Sequence, residues 1–150
     1  MVSGPRNSAG DERLVKHGPL MLDTSACIGL LRSGRTAMSA RAAATGAERV
    51  SISAVVLAEL AFGAANSVDP EANAGALAHL LRLIDVEPFD APAAMLYGRI
   101  RLATRKKGHT IGQMDLLIGA HALARGAGIA TLDTRDFRRI PGLYVESWAR

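Results

Sequence analysis

Residues 50–60 read Val-Ser-Ile-Ser-Ala-Val-Val-Leu-Ala-Glu-Leu, and this stretch decides the class of fold. Its first three residues form a short apolar run, which predicts a buried strand. Ser53 is a favourable N-cap residue, and the apolar residues that follow it predict a helix over residues 54–65. A strand that passes directly into a helix is typical of α/β proteins with a parallel sheet.

Outside this stretch, short apolar runs again alternate with segments of helical pattern. Further strands are predicted at residues 20–22, 84–86, 129–131 and 144–146. Further helices are predicted at residues 25–32, 36–47, 70–83, 91–107 and 111–125, with a short turn or helix at 133–138. Thr110 is predicted to cap the last long helix, because Thr110 and Gln113 have the spacing of a capping box. The alternation predicts a three-layer α/β/α sandwich around a mostly parallel sheet of about five short strands.

The composition is that of one globular domain. The chain has 150 residues, of which 49% are hydrophobic and 21% charged, and this usage excludes wholesale disorder. Its single cysteine, Cys27, excludes an internal disulfide framework and indicates a reducing compartment. No uncharged apolar run reaches the roughly 18 residues of a membrane helix. Residues 1–19 are polar and aperiodic and are expected to be a disordered leader or a non-native remnant, which leaves residues 20–150 as the folded domain.

The net charge of +4 is unevenly placed along the chain. Residues 90–150 contain ten Lys and Arg against five Asp and Glu, whereas residues 1–89 are almost balanced. A basic half is compatible with a polyanionic partner such as nucleic acid, but a solvated basic helix face explains the charge at least as well.

Two carboxylates occupy positions that ordinary surface residues avoid. Glu59 is the only charged residue in the segment 54–65, and Asp115 is the only formally charged residue in the segment 108–124. Neither has a basic residue three or four positions away, so no local ion pair compensates either charge. With Thr110 as the cap, Asp115 would lie in the second turn of its helix, beyond the reach of ordinary capping. An uncompensated carboxylate on a mostly buried helix is costly, so a cation from elsewhere must offset it.

Two further carboxylates follow predicted strands. Asp23 ends the strand at 20–22, and Asp133 comes two residues after the strand at 129–131. The carboxyl ends of the strands carry function in parallel sheets, so both residues would lie at the functional edge. Each could instead simply cap the segment that follows, with Asp136 at the third position after Asp133. Together with the other two carboxylates, however, they form a set of four that converges on one edge.

Several carboxylates at one edge of a sheet need positive charge. Two carboxylates about 5 Å apart, at an effective dielectric constant of about 20, repel each other by roughly 3 kcal/mol. A divalent cation offsets this repulsion, and all-oxygen ligands favour Mg²⁺ or Mn²⁺ over Zn²⁺. Carboxylate-bound metal ions are common in enzymes that hydrolyse phosphodiester bonds. The sequence therefore indicates a metal-dependent nuclease.

Two other classes of phosphate-handling protein fit less well. A haloacid-dehalogenase-type phosphatase needs a second aspartate two residues after Asp23, where this chain has Ser25. A response-regulator receiver needs a phosphoacceptor aspartate after its third strand, where this chain has Val86-Glu87-Pro88.

Four segments together resemble the motifs of the PIN-domain ribonucleases, and most closely those of the VapC-like toxins of bacterial toxin–antitoxin pairs. They fall in the family's order and span about residues 20–148. The segments are 21–25, 53–60, 105–108 with 111–118, and 131–137 with 140–143. No single motif is specific, but the four in order are.

The resemblance implies a metal-dependent endoribonuclease that acts as the toxin of a toxin–antitoxin pair, with one or two Mg²⁺ or Mn²⁺ ions. The implied catalytic metal ligands are Asp23, Glu59, Asp115 and Asp133. The implied outer residues, which would orient these ligands or water, are Thr24, Thr131 and Asp136. The candidates for binding RNA phosphates are Arg105, Lys106 and Lys107. A solvated helix end that complements the helix dipole explains these three almost equally well.

The resemblance also implies partners and a location. It implies a tRNA or rRNA substrate, a small cognate antitoxin that covers the acidic cleft, a homodimer, no membrane association, and the bacterial cytoplasm. The apolar helices at 54–65 and 70–83 are candidate interaction surfaces, although both could be core. The alternative function is a catalytically silent PIN fold that binds RNA or a partner protein, which the four occupied acidic positions disfavour.

His121 lies six residues after Asp115, about 240° around the predicted helix, so the two side chains face in different directions. We interpret His121 as a core or interface histidine and Cys27 as a small core residue.

Overall fold

The computed structural model describes residues 18–33, 46 and 49–149. The predicted helix at 36–47 and the leader predicted at residues 1–19 lie almost entirely outside these ranges. The described strands are β1 (Leu20–Leu22), β2 (Val50–Ser53), β3 (Asp85–Glu87), β4 (Gly128–Thr131) and β5 (Val145–Ser147). The described helices are α1 (Thr24–Ser33), α2 (Ala54–Ala65), α3 (Pro70–Leu83), α4 (Ala91–Lys106), α5 (Gln113–Ala124) and a 3₁₀ helix (Phe137–Arg139).

The described strands form one parallel sheet in the order β3-β2-β1-β4-β5. From β1 the chain proceeds outward to β3 and then returns to β4 on the other side of β1. Because parallel crossovers are right-handed, this reversal places α1, α2 and α3 on one face and α4 and α5 on the other. The predicted α/β sandwich with a parallel sheet is therefore confirmed. β1 and β4 are neighbours at the point of reversal, which is where such sheets carry their sites.

The strands are buried on both faces, which explains why they read as continuous apolar runs rather than as alternating patterns. The three residues of β1 are each at most 1% exposed, and Ile52, Ile129 and Ala130 in the flanking strands are fully buried. Cys27 packs in the same core, as predicted.

The helix ends follow the local signals of the sequence. The side chains of Ser53, Asp69 and Asp90 cap α2, α3 and α4, each accepting a hydrogen bond from a backbone N–H of the first turn. Gly108 has a φ of 76°, so it ends α4 in a conformation that favours glycine. Among the helices of the described ranges, none combines the length and apolarity that a membrane span requires.

The predicted start of α5 was wrong. Gly112, rather than Thr110, is the cap residue and makes no side-chain hydrogen bond. The first helical bond runs from the N–H of Leu116 to the carbonyl of Gly112 at 3.0 Å. Ile111 is only 8% exposed, and its burial in the core holds the preceding segment outside the helix. Asp115 is therefore the third residue of α5 and lies in its first turn, where the helix dipole favours a negative charge.

Strands β3 and β5 each begin one residue later than predicted. Ile84 belongs to the end of α3, since its N–H donates to the carbonyl of Leu80 at 3.1 Å. Ile84 is buried all the same. An apolar run cannot distinguish the buried end of a helix from the start of a strand, because both need an apolar side chain.

Candidate active site

Asp23 lies where β1 ends, beside β4. Its N–H donates to the carbonyl of Ala130 at 3.1 Å, and its Oδ1 accepts a hydrogen bond from the N–H of Ala26 at 2.8 Å. Thr131 Oγ1 donates to Asp23 Oδ2 at 2.5 Å, and Ser25 Oγ lies 2.8 and 2.9 Å from the two carboxylate oxygens. Asp23 therefore caps α1 and is also held by hydroxyl groups at the carboxyl edge of the sheet.

The surroundings raise the pKa of Asp23 above its ordinary value. Burial is the largest cause, since the residue is only 5% exposed, and the charge of Glu59 acts in the same direction. The hydrogen bonds from Thr131, Ala26 and Ser25 lower the pKa but do not outweigh burial. All three donors are neutral, so they fix the carboxylate without cancelling its charge.

Ser25 is a site residue that the sequence reasoning missed. Besides Asp23, its hydroxyl lies 3.2 Å from Thr131 Oγ1 and accepts a hydrogen bond from the N–H of Leu132 at 3.1 Å. Ser25 thus ties the start of α1 to the end of β4. Its spacing of two residues from Asp23 is a local signal, but the contact with β4 follows only from the strand order.

Glu59 enters the site from α2. Thr24, the first residue of α1, donates a hydrogen bond from Oγ1 to Glu59 Oε1 at 2.5 Å. Thr24 and Thr131, both predicted to orient acidic residues, thus each contact one of them. Among the residues that the structure describes, no ion pair includes Glu59 or Asp115.

Asp115 is affected by the charges of all the other carboxylates of the site. Its pKa is raised to about 6, first by burial and then by the negative charges of four carboxylates. In decreasing order of effect, these carboxylates are Asp23, Asp136, Glu59 and Asp133. The structure therefore brings all four predicted ligands, together with the predicted outer residue Asp136, into one acidic cluster.

Asp133, which is exposed, and Asp136, which is part-buried, form the outer part of this acidic cluster. The Asp133 side chain is 65% exposed, and it accepts hydrogen bonds from the backbone N–H and the guanidinium of Arg135, both at 3.2 Å. Asp136 lies 3.8 Å from the guanidinium of Arg139. Ion pairs this exposed contribute little to stability, so the basic side chains can move away at little cost.

The acidic cluster is not a preformed metal cage. Within the described ranges, no three His, Cys, Asp or Glu side chains already stand at the spacing of metal ligands. The donor set nevertheless suits Mg²⁺ or Mn²⁺, because it offers only carboxylate and hydroxyl oxygens and carries uncompensated charge.

The candidate RNA-binding residues Arg105, Lys106 and Lys107 lie exposed at the carboxyl end of α4, where Lys107 is the C-cap residue. Only the short segment 108–112 separates Lys107 from the start of α5, whose first turn contains Asp115. Their role in binding RNA stays a prediction.

The fold and the acidic edge define an α/β protein of nuclease type, and comparison with known proteins gives the family. The family model described as "PIN domain" matches residues 20–143, so the chain belongs to the PIN domain family. A relative from Salmonella typhimurium, named tRNA(fMet)-specific endonuclease VapC, is 34% identical over 128 residues, which cover 85% of this chain and 96% of the relative.

Two solved structures share the fold. The DNA-bound VapBC of Salmonella typhimurium has a TM-score of 0.84 and 33% identity, and the match covers 88% of this chain and 99% of that chain. VapBC2 of Rickettsia felis, bound to a promoter DNA fragment, has a TM-score of 0.82 and 33% identity, over 86% of this chain and 98% of that chain.

The raised pKa of Asp115 predicts a pH-dependent effect of Asp115→Asn on stability. Because the pKa is about 6 in the folded protein and 3.8 ordinarily, ionisation of Asp115 opposes folding. This penalty is absent below about pH 4 and complete somewhat above pH 6. We expect the stability of Asp115→Asn relative to the native protein to rise between about pH 4 and pH 7, measured by urea unfolding in EDTA.

Asp85→Asn, at an exposed position of β3, is the control for loss of one carboxylate. A loss of roughly 3–5 kcal/mol in Asp115→Asn at pH 7 would show instead that Asp115 belongs to a buried structural ion pair.

Proposed function

We propose that this chain is a metal-dependent endoribonuclease that hydrolyses RNA phosphodiester bonds as the toxin of a bacterial toxin–antitoxin pair. The observation that carries the proposal is the half-buried Asp115, whose pKa is raised to about 6 by burial and by four neighbouring carboxylates. A strongly perturbed group in such a cluster is characteristic of a functional site. Membership of the PIN domain family and the endonuclease activity for which the Salmonella relative is named support the reaction type.

In this proposal the residues that hold one or two Mg²⁺ or Mn²⁺ ions are Asp23, Glu59, Asp115 and Asp133. The bound ion supplies an activated water molecule and positive charge for the scissile phosphate. Thr131 and Ser25 keep Asp23 in one orientation, so this ligand needs little rearrangement. Asp115 ionises fully when positive charge is near, because the repulsion that raises its pKa is then offset.

A catalytically silent PIN fold is the alternative function. A protein that only binds a partner gains nothing from keeping like charges together, and their repulsion lowers its stability. Such a protein would be expected to replace some of these carboxylates or to pair them with basic residues. All four acidic positions are filled, and no described residue forms an ion pair with Glu59 or Asp115.

We propose a tRNA or an rRNA as the substrate, acted on in the bacterial cytoplasm. The name of the Salmonella relative makes initiator tRNA the first RNA to test. Arg105, Lys106 and Lys107 would contact phosphates beyond the cleavage site, since their side chains are exposed.

We also propose a small cognate antitoxin and a homodimer as the assemblies of this chain. Two apolar side chains are strongly exposed: Phe62 near the end of α2 is 68% exposed, and Val68 in the following loop is 105% exposed. Both are candidates for contact with a partner. An antitoxin arginine that reaches the acidic cluster would take the place of the cation's positive charge.

The homodimer is tested by the mass of the purified protein. We expect light scattering at micromolar concentration to give twice the mass of one chain, because the exposed apolar side chains favour association. A stable monomer at that concentration would contradict the homodimer and leave the nuclease proposal unaffected.

The nuclease proposal predicts metal dependence. We expect cleavage of RNA in Mg²⁺ or Mn²⁺, loss of cleavage in EDTA, and a higher melting temperature when metal is added, because an ion that binds only the folded state stabilises it. Gel analysis of initiator tRNA and of total RNA, with thermal unfolding in parallel, measures all three. Cleavage that persists in excess EDTA would rule out the proposed mechanism.

The carboxylates should differ in their effect on cleavage. We expect Asp115→Asn, Glu59→Gln and Asp23→Asn to reduce activity by orders of magnitude, because each removes a proposed ligand and its charge. Asp133→Asn should be milder, since Asp133 is exposed and Asp136 is nearby. Rates of cleavage under saturating Mg²⁺ measure the order.

Glu71→Gln, at an exposed position in the first turn of α3, removes the same charge as Glu59→Gln and should keep full activity. A fully active but strongly destabilised Asp115→Asn variant would show that the acidic cluster is structural.

A further inference from the structure

One buried hydrogen bond joins the two helices that carry Glu59 and Asp115. His121 Nδ1, six residues after Asp115 in α5, lies 2.7 Å from Oγ of Ser53, six residues before Glu59. His121 and Ser53 are both fully buried. The same Ser53 oxygen accepts the N–H of Val55 at 3.0 Å and so caps α2. A single hydroxyl thus connects the first turn of α2 to the last turn of α5.

The His121 ring is held in one orientation. Its ring meets that of Phe89 edge to face, with centroids 5.3 Å apart and planes at 78°. Burial lowers the pKa of His121, so the ring is neutral at neutral pH and Nδ1 can share one proton with the Ser53 hydroxyl. Nε2 is buried and makes no hydrogen bond of regular geometry, although a backbone hydrogen bond to Pro88 raises the pKa of the ring. Burying so polar a ring costs more than burying an apolar side chain, so filling the core does not explain a histidine here.

We propose that His121 is a positioning residue of the nuclease site: through Ser53 it holds the start of α2 against α5 and so sets the place of Glu59 relative to Asp115. This inference rests on the proposed function. The helices α2 and α5 come from opposite faces of the sheet, so chain connectivity alone does not fix their spacing. The position of Glu59 relative to Asp115 matters because metal ligands and substrate tolerate only displacements well below 1 Å.

Two substitutions at His121 separate positioning from packing. Asn places a polar atom near the position of Nδ1 and can keep the bond to Ser53, whereas Leu fills similar space without one. We expect His121→Leu to lower kcat for RNA about tenfold or more, with KM for RNA little changed, because small displacements at a site cost that much. We expect Mn²⁺ affinity without RNA, measured by electron paramagnetic resonance, to weaken about tenfold. His121→Asn should retain most of the native kcat and most of the native affinity for Mn²⁺.

A third readout needs neither metal nor RNA. Amide hydrogen exchange in the first turn of α2, at Val55 and Val56, should be faster in His121→Leu than in His121→Asn, because the cap loses its anchor. Ser53→Ala added to His121→Leu should change kcat little further, since the two side chains act as one unit. If His121→Leu does not fold, Ser53→Thr against Ser53→Ala gives the same comparison, because Thr keeps the hydroxyl.

Ile84→Ala is the matched control for lost stability. Ile84 is buried just before β3, at the edge of the sheet opposite the acidic cluster. If His121→Leu and His121→Asn match Ile84→Ala in kcat, Mn²⁺ affinity and α2 exchange at equal fractions folded, His121 is only a core residue and the inference is overturned. If the native protein neither binds Mn²⁺ nor cleaves RNA, the proposed function fails, and α2 exchange alone decides whether His121 anchors α2.

Discussion

Repulsion among carboxylates at the carboxyl edge of the sheet is the constraint that the rest of the structure balances. Asp115 lies half buried among four other carboxylates, and their charges raise its pKa after burial has already done so. Packing below this edge opposes the repulsion, because β1 and β4 are buried and paired along their length and end just before Asp23 and Asp133. The sheet therefore maintains a concentration of negative charge that the isolated side chains would not adopt.

The way these carboxylates are held indicates what they are for. Hydroxyl groups of Thr24, Ser25 and Thr131 contact Glu59 and Asp23, and a hydroxyl orients a carboxylate while leaving its charge intact. An arginine in the same place would orient the carboxylate and also neutralise it. Among the residues that the structure describes, arginines pair with this acidic cluster at Asp133 and Asp136, which can exchange one partner for another at little cost. Neutral hydroxyl donors hold the inner carboxylates, and arginines that can be displaced pair with the outer ones. This arrangement suits a site that receives a metal cation.

Much of the fold followed from the sequence, because local patterns carried it. The helix cap at Ser53 and the alternation of apolar strands with helices were predicted correctly. The start of α5 was predicted wrongly, because the burial of Ile111 overrides the capping signal at Thr110. The acidic residues could be identified because they are charges in apolar segments or at strand ends. The role of Ser25 and the contact between Ser53 and His121 could not be predicted from the sequence, since each joins segments whose adjacency depends on the strand order.

The charge distribution of the chain poses one more problem that the proposed function resolves. RNA is a polyanion, and an acidic edge repels it, whereas the exposed basic residues at the end of α4 could attract it. Positive charge brought to the carboxylates by a cation changes this repulsion into attraction for the phosphate to be cleaved. A cation and RNA should therefore bind cooperatively, each raising the affinity for the other by the same factor. The basic residues at the end of α4 can then hold the RNA, while only RNA bound next to an occupied acidic edge is cleaved.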